Sequence, residues 1–123
     1  MIRCGTDMIE CERIAAGIER FGERFLTRFF TAGEREDCAD QPRRLAARFA
    51  AKEAVAKALG TGIGDISWVE IEIRTDGERR RPTLTLHGKA AALAAEMQLN
   101  DWDVSLSHTD SLAIAVAVAI RAA

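Results

Sequence analysis

The chain has 123 residues, 48% of them hydrophobic and 29% charged, which is typical of one globular domain over residues 1–123. Its 17 Lys and Arg against 19 Asp and Glu give a net charge of −2, which argues against a nucleic-acid-binding protein. No apolar run approaches the roughly 18 residues of a membrane span, and Asp7 interrupts the apolar stretch that an export signal needs. We therefore expect a cytoplasmic protein that binds neither nucleic acid nor membrane.

The first predicted elements are a strand and several short helices. Apolar residues alternate along residues 2–10, which predicts a strand with Asp7 on the face opposite its apolar side chains. Those apolar side chains are Ile2, Cys4 and Met8. Residues 12–39 then predict two or three short helices, broken near Gly22 and around residues 31–33.

A longer helix follows, with Asp40 at its cap, Pro42 in its first turn and Gly60 at its end. A surface helix separates charged from apolar side chains, but here Arg48 and Lys52 fall within the apolar arc. The apolar residues of that arc are Leu45, Phe49, Val55 and Leu59. This mixed face indicates that the helix does more than cover a core.

On another side of this helix, Glu53 and Lys57 lie one turn apart among alanines. One interpretation is an ion pair on a solvated face, which stabilises a helix by a few tenths of a kcal/mol. The alternative is a functional site, because alanines beside a carboxylate let a ligand or another backbone approach closely.

The second half of the chain begins with a glycine-rich loop at residues 60–64 and a hairpin. Apolar and charged residues alternate over residues 69–73, which predicts a strand. Residues 76–77 predict a turn, and residues 84–86 mark the return strand.

A helix and a second hairpin complete the predicted fold. Residues 88–99 predict an alanine-rich helix, and a strand opens at Val104. A short connection at residues 108–111 leads to the last strand, residues 112–120, in which large apolar residues alternate with alanines. We expect both faces of this strand to be buried, with the large residues in a core and the alanines against a closely packed element. The fold class is α+β, with helices packed on an antiparallel sheet.

Other common site motifs are absent or weak. The glycines of residues 60–64 follow a helix and carry no Lys-Ser/Thr, so they do not form a P-loop. Ser107 and His108 are neighbours on a strand and point to opposite faces, which makes them a poor nucleophile–base pair. The odd number of cysteines, without a C-x-x-C pair, predicts buried thiols and neither disulfides nor a zinc site.

Three segments together resemble the holo-acyl carrier protein synthases, the short, single-repeat branch of the 4'-phosphopantetheinyl transferases. They are Gly5-Thr6-Asp7-Met8-Ile9-Glu10, the stretch RFAAKEAVAKALGTG from Arg48 to Gly62, and Ser105-Leu106-Ser107-His108. The second segment is the most specific, and the resemblance covers nearly the whole chain. It implies a 4'-phosphopantetheinyl transferase-like fold assembled as a homotrimer, with coenzyme A bound between neighbouring subunits.

The resemblance implies transfer of the phosphopantetheine arm of coenzyme A to a serine of an apo acyl carrier protein, leaving adenosine 3',5'-bisphosphate. Asp7 and Glu53 match the family's Mg²⁺ ligands, and Lys57 would lie over the pyrophosphate and assist the leaving phosphate. The residues that match positions near the coenzyme's nucleotide are Arg48, Gly60, Gly62 and His108. Glu53, a metal-bound water and Asp110 are all candidates for the general base.

Four arginines have the spacing of one helical face, seven, four and four residues apart. They are Arg13, Arg20, Arg24 and Arg28. The family docks its carrier on the first helix, and carriers are acidic along the helix that follows their modified serine, so this row is a candidate carrier-binding surface. The alternative is that local glutamates neutralise these arginines in surface pairs. Those glutamates are Glu12, Glu19 and Glu23.

Two other functions are compatible with the same residues. A metal-dependent phosphohydrolase would use the same acids and cleave coenzyme A without any carrier. A non-catalytic module would bind carriers or nucleotides, but Asp7, Glu53 and Lys57 together argue against it. For a transferase, the carrier would belong either to fatty acid biosynthesis or to polyketide synthesis.

Overall fold

The computed structural model describes residues 1–76 and 81–122, and within them five strands and five helices. The strands are β1 (Ile2–Glu10), β2 (Ile71–Asp76), β3 (Arg81–Leu86), β4 (Asp101–His108) and β5 (Leu112–Ile120). The helices are α1 (Cys11–Phe21), α2 (Glu23–Phe29), α3 (Ala32–Cys38), α4 (Pro42–Ala58) and α5 (Gly88–Glu96), with a 3₁₀ turn at Trp68–Glu70 (the Trp68 turn). None of the helices in this described part is long and apolar enough to cross a membrane.

A three-stranded antiparallel sheet has the strand order β1-β5-β4. Asp7 of β1 pairs in register with Ala115 of β5, and Ser105 of β4 pairs with Val116. Strands β2 and β3 form a separate antiparallel hairpin, in which Ile73 lies opposite Leu84. The predicted fold class, α+β with helices on an antiparallel sheet, is therefore confirmed.

Helix α4 packs across β1 and β5 on one face of this sheet. The alanines of β5 form the floor of that contact and are at most 1% exposed: Ala113, Ala115, Ala117 and Ala119. Gly5 of β1 permits the closest approach, since a Cβ there would lie 1.9 Å from the carbonyl oxygen of Ala54 in α4. The predicted close approach to the alanine face is confirmed, and it brings α4 directly against the strand that carries Asp7.

The opposite face of the three-stranded sheet is exposed. Its large apolar side chains are between 38% and 73% accessible: Ile2, Met8, Leu112, Ile114, Val116 and Val118. The prediction that both faces of β5 are buried is wrong for the single chain, because α4 covers only the alanine side. The alternation of large apolar residues with alanines identifies two apolar faces of β5. It does not show whether a helix or another strand covers each face.

The remaining boundaries of the helices and strands mostly agree with those predicted from the sequence. Gly22, with a φ of 57°, separates α1 from α2 as predicted. Asp40 is not the cap of α4, because Gln41 occupies that position and the Asp40 carboxylate pairs with Arg35 at 2.9 Å. Helix α5 ends at Glu96, three residues before the predicted end. The predicted turn at residues 76–77 extends beyond the described residues.

All three cysteines are free thiols. Cys11 and Cys38 are buried, and burial raises the pKa of the Cys38 thiol to about 11. Cys4 is exposed, so its predicted burial is wrong: it lies on the uncovered face of β1, opposite Val118.

Candidate functional site

The side chains of Asp7 and Lys57 meet where β1 packs against α4. Asp7 lies on the face of β1 opposite Ile2 and Met8, as the alternation predicts, and this face is the one that α4 covers. The Lys57 ammonium lies 3.3 Å from Asp7 Oδ1 and donates a hydrogen bond to the carbonyl oxygen of Thr6 at 2.9 Å. Lys57 thus pairs with a residue 50 positions away, and the interpretation as a Glu53–Lys57 pair on a solvated face is wrong.

Glu53 is half-buried one turn before Lys57 on the same helix. Burial raises the pKa of Glu53, the negative charge of Asp7 raises it further, and the positive charge of Lys57 opposes both effects. The structure therefore brings two mutually repelling carboxylates and one ammonium together at the contact between β1 and α4. No cluster of three or more potential metal-binding side chains occurs within residues 1–76 and 81–122.

A cavity of about 750 Å³ opens beside Glu53. Its walls include Phe49 and Trp68, whose rings stack with centroids 4.4 Å apart, and Arg28 of α2. The sequence pattern places Phe49 in the apolar arc of α4 and gives no signal for Trp68. Its position depends on how the loop after α4 folds back, for which the sequence carries no local signal.

The two glycines of the predicted nucleotide-binding set lie just after α4. Gly60 has a φ of 75°, a left-handed conformation that favours glycine, and its N–H donates to the carbonyl oxygen of Lys57 at 3.0 Å. Apart from the adjoining residues, no atom of residues 1–76 or 81–122 lies within 4 Å of a Cβ built on Gly60 or Gly62. These glycines therefore leave open space one turn beyond Lys57.

A second cavity, of about 420 Å³, brings Arg48 and His108 together. Arg48 is only 6% exposed, and its Nε and Nη2 have no hydrogen-bond partner in the described part of the chain. Buried N–H groups without an acceptor are costly, so this guanidinium suits an anionic ligand. Arg44 also lines the cavity and is missed by the sequence analysis, because a polar residue near the start of a helix gives no specific signal.

The four arginines of the predicted docking row are all exposed on α1 and α2. Among the described residues, none of their guanidinium groups lies within 4.0 Å of a carboxylate. Glu23 instead binds Arg35 of α3 at 2.8 Å. The alternative in which local glutamates neutralise the row is therefore wrong.

An aromatic groove of about 280 Å³ runs between Arg24 and Arg28. Its apolar walls are Phe21, Phe25 and Phe29. The Arg28 guanidinium packs 5.3 Å from the centre of the Phe29 ring. The arginine spacing predicts the cations of this surface but not its apolar walls, although the four-residue spacing of the phenylalanines carries that signal.

The fold and the side chains of these sites together match a known class of protein. The chain belongs to the 4'-phosphopantetheinyl transferase superfamily, whose family model matches residues 3–117. Within it, the chain is similar to holo-[acyl-carrier-protein] synthases, which confirms the resemblance read from the sequence motifs.

Two curated relatives and one solved structure illustrate this similarity. The holo-[acyl-carrier-protein] synthase of Herpetosiphon aurantiacus is 44% identical over 125 aligned positions, covering 96% of this chain and 98% of the relative. That of Solidesulfovibrio magneticus is 47% identical over 121 positions, covering 96% and 98%. The crystal structure of the Helicobacter pylori holo-[acyl-carrier-protein] synthase in complex with coenzyme A matches with a TM-score of 0.85 and 34% identity, covering 98% of this chain and 100% of that one.

Proposed function

We propose that this chain transfers the 4'-phosphopantetheine arm of coenzyme A to a serine of an apo acyl carrier protein, releasing adenosine 3',5'-bisphosphate. The observation that carries the proposal is the convergence of Asp7, Glu53 and Lys57 in a chain related over nearly its full length to holo-[acyl-carrier-protein] synthases. The solved relative from Helicobacter pylori holds coenzyme A, the phosphopantetheine donor of this reaction.

Asp7 and Glu53 fit a Mg²⁺ site. The charge of Asp7 helps to raise the pKa of Glu53, and a divalent cation between two such carboxylates would relieve their repulsion. Mg²⁺ is usually held by one or two carboxylates together with substrate phosphates, so no third protein ligand is needed. When bound, the ion would neutralise charge on the pyrophosphate of coenzyme A.

Lys57 is placed to assist the same reaction. The serine oxygen attacks one phosphorus of the pyrophosphate, and the bond to the adenosine-bearing phosphate breaks, so negative charge grows on the leaving oxygen. The Lys57 ammonium, anchored by Asp7 and the Thr6 carbonyl, would stabilise this charge. Asp110 is ion-paired with Arg43 in the exposed connection after β4, whereas Glu53 lies beside Asp7 and Lys57, which favours Glu53 over Asp110 for accepting the serine proton.

The cavity of Arg48 and His108 would hold the nucleotide end of coenzyme A. The unpaired Arg48 N–H groups supply donors for a phosphate, and His108 lies at the end of β4 on the same cavity. Gly60 and Gly62 would let the coenzyme pass close to the backbone just beyond Lys57, since no described atom beyond the adjoining residues lies within 4 Å of a Cβ built on either glycine.

The exposed apolar face of the three-stranded sheet supports a homotrimer, with β5 near the threefold axis and coenzyme A between neighbouring subunits. A row of large apolar side chains on β5 is unusual on the surface of a monomer and marks an interface. We expect light scattering at micromolar concentration to give three times the mass of the chain.

Val116→Asp, in the middle of this face, is expected to give monomers, because it places a charge in the interface core. Ala92→Asp, on an exposed position of α5, is the matched control and should leave the trimer intact. A monomeric wild-type protein would overturn both the trimer and the site between subunits.

The arginines and aromatic groove of α1 and α2 support carrier docking on this surface. We expect Arg13→Glu and Arg20→Glu each to raise the KM for the carrier by about tenfold, because charge reversal replaces attraction by repulsion of an acidic helix. Salt screens such contacts over roughly 8 Å, so the difference from wild type should shrink as salt rises. The KM for coenzyme A should stay within about twofold.

Lys89→Glu, at the exposed start of α5, controls for the change in net charge and should leave carrier kinetics unaffected. If Arg13→Glu and Arg20→Glu also leave the carrier KM unchanged at low salt, the docking surface lies elsewhere.

The proposed function is tested by incubating the protein with coenzyme A, Mg²⁺ and an apo acyl carrier protein and weighing the carrier by mass spectrometry. We expect the carrier to gain one phosphopantetheine group. Cleavage of coenzyme A without that gain would instead identify a phosphohydrolase, and neither product would identify a non-catalytic binding module.

A further inference from the structure

A buried ion pair lies immediately beside the proposed metal ligand Glu53. Lys52 and Glu34 are both completely inaccessible to solvent, and the Lys52 ammonium lies 2.7 Å from Glu34 Oε1. The same ammonium donates hydrogen bonds to the carbonyl oxygens of Trp68 at 3.0 Å and Ile71 at 2.5 Å. An ammonium has three protons, and here each has an acceptor inside the fold. Lys52 therefore has no proton left for a substrate.

The Glu34 carboxylate is fully engaged as well. Its Oε1 accepts a hydrogen bond from the Thr31 N–H at 2.9 Å, and its Oε2 accepts one from the Ile73 N–H at 2.8 Å. The pair thus joins α3, α4 and β2. Through the carbonyl oxygens of Trp68 and Ile71, it also holds the first residue of the Trp68 turn and the residue that follows the turn.

The Trp68 turn forms a wall of the 750 Å³ cavity that opens beside Glu53. The Trp68 ring stacks on Phe49 and meets the Phe29 ring edge-on, with centroids 5.1 Å apart. Because Lys52 holds the backbone of Trp68, the place of this ring relative to Glu53 depends on the buried pair.

Stability alone gives little reason for such a pair. The cost of removing two charges from water offsets much of their attraction, and well-packed uncharged side chains are often equally stable at such positions. Uncharged side chains without donors could not, however, hold the carbonyl oxygens of Trp68 and Ile71 in place. What the ion pair adds to packing is therefore an ammonium that fixes these two carbonyl oxygens in place.

We propose that Lys52 is a positioning residue that holds the Trp68 turn as a fixed wall of the cavity beside Glu53, so that the substrate segment entering this cavity is bound in one place. This inference rests on the proposed function for its kinetic consequence. Its structural consequence, a fixed Trp68 ring, can be measured without substrate.

The test uses the full chain with Trp102→Phe, which leaves Trp68 as the only tryptophan. In this parent, Lys52→Met is combined with Glu34→Gln, so that no unpaired charge is left buried. We expect the KM for coenzyme A or for the carrier to rise at least tenfold, with kcat within threefold. We also expect acrylamide quenching of Trp68 fluorescence to increase at least twofold.

The matched control is Arg74→Met, which removes the Arg74–Asp37 ion pair that also joins α3 to β2 but does not contact the Trp68 turn. It should lose some stability and keep both KM values and the Trp68 quenching of the parent. If the double variant behaves like this control, Lys52 has only a structural role and the proposal is overturned.

Should the double variant fail to fold, Lys52→Arg serves in its place. It keeps the charge beside Glu34, but a planar guanidinium cannot reproduce the three contacts of a compact ammonium, so the same rise in KM and quenching is expected. A parent protein that transfers nothing would refute the proposed function. Quenching unchanged in Lys52→Arg would refute the positioning role, whether or not the parent is active.

Discussion

Replacing Glu53 with Gln is expected to reduce kcat for phosphopantetheine transfer roughly 10³-fold, the scale of losing a main electrostatic contact to the reacting group. The amide has the same shape as the carboxylate, but it carries no charge to hold Mg²⁺ beside Asp7 and cannot accept the serine proton. The rate is measured by weighing the carrier over time at saturating coenzyme A and carrier.

Two comparisons make this result specific. Glu96→Gln, on an exposed position of α5, makes the same chemical change outside the site and should keep the wild-type rate. Glu53→Gln should also bind Mg²⁺ more weakly in a titration with the metal alone. Transfer by Glu53→Gln at more than about a tenth of the wild-type rate would contradict the role assigned to this carboxylate.

Replacing Gly5 with Ala is expected to lower the free energy of unfolding by about 3 kcal/mol, at the upper end of typical overpacking costs. The new Cβ would lie 1.9 Å from the carbonyl oxygen of Ala54 and 2.9 Å from its carbonyl carbon, and these are backbone atoms of α4 that cannot rotate away. For a chain of this size, the midpoint of thermal unfolding should fall by about 10 °C.

Chemical and thermal denaturation of Gly5→Ala are compared with Gly62→Ala, where the described part of the chain places no non-adjacent atom within 4 Å of the added Cβ. The control should change the free energy of unfolding by less than about 0.5 kcal/mol. Equal stability of the two variants would show that α4 can move away from β1 at little cost.

Much of the site could be predicted because its parts carry local signals. Alternation along β1 is enough to place Asp7 opposite the apolar side chains. The mixture of charged and apolar residues on α4 similarly reveals that Arg48 and Lys52 are unusual, and both are buried. The motif around Glu53 also indicates the family to which the chain belongs. The family model, which matches residues 3–117, confirms it.

The rest depends on contacts between distant parts of the chain. Lys57 could pair with Glu53 by helical spacing, yet its partner is Asp7, because Gly5 allows β1 to lie directly against α4. Trp68 lines the cavity from a turn whose backbone accepts a hydrogen bond from Lys52, 16 positions earlier in the chain. Neither residue's neighbours in sequence indicate these partners.

The contact between Gly5 and Ala54 also affects how strongly the proposed site can bind a metal ion. Asp7 lies two residues after Gly5, and Glu53 directly precedes Ala54, so the backbone positions that carry the two carboxylates are held by packed backbone and not by a flexible loop. Ordering a mobile backbone on binding costs about 1–2 kcal/mol per residue in conformational entropy. A site whose two ligands are already ordered avoids that cost, so its affinity should depend mainly on charge and coordination geometry.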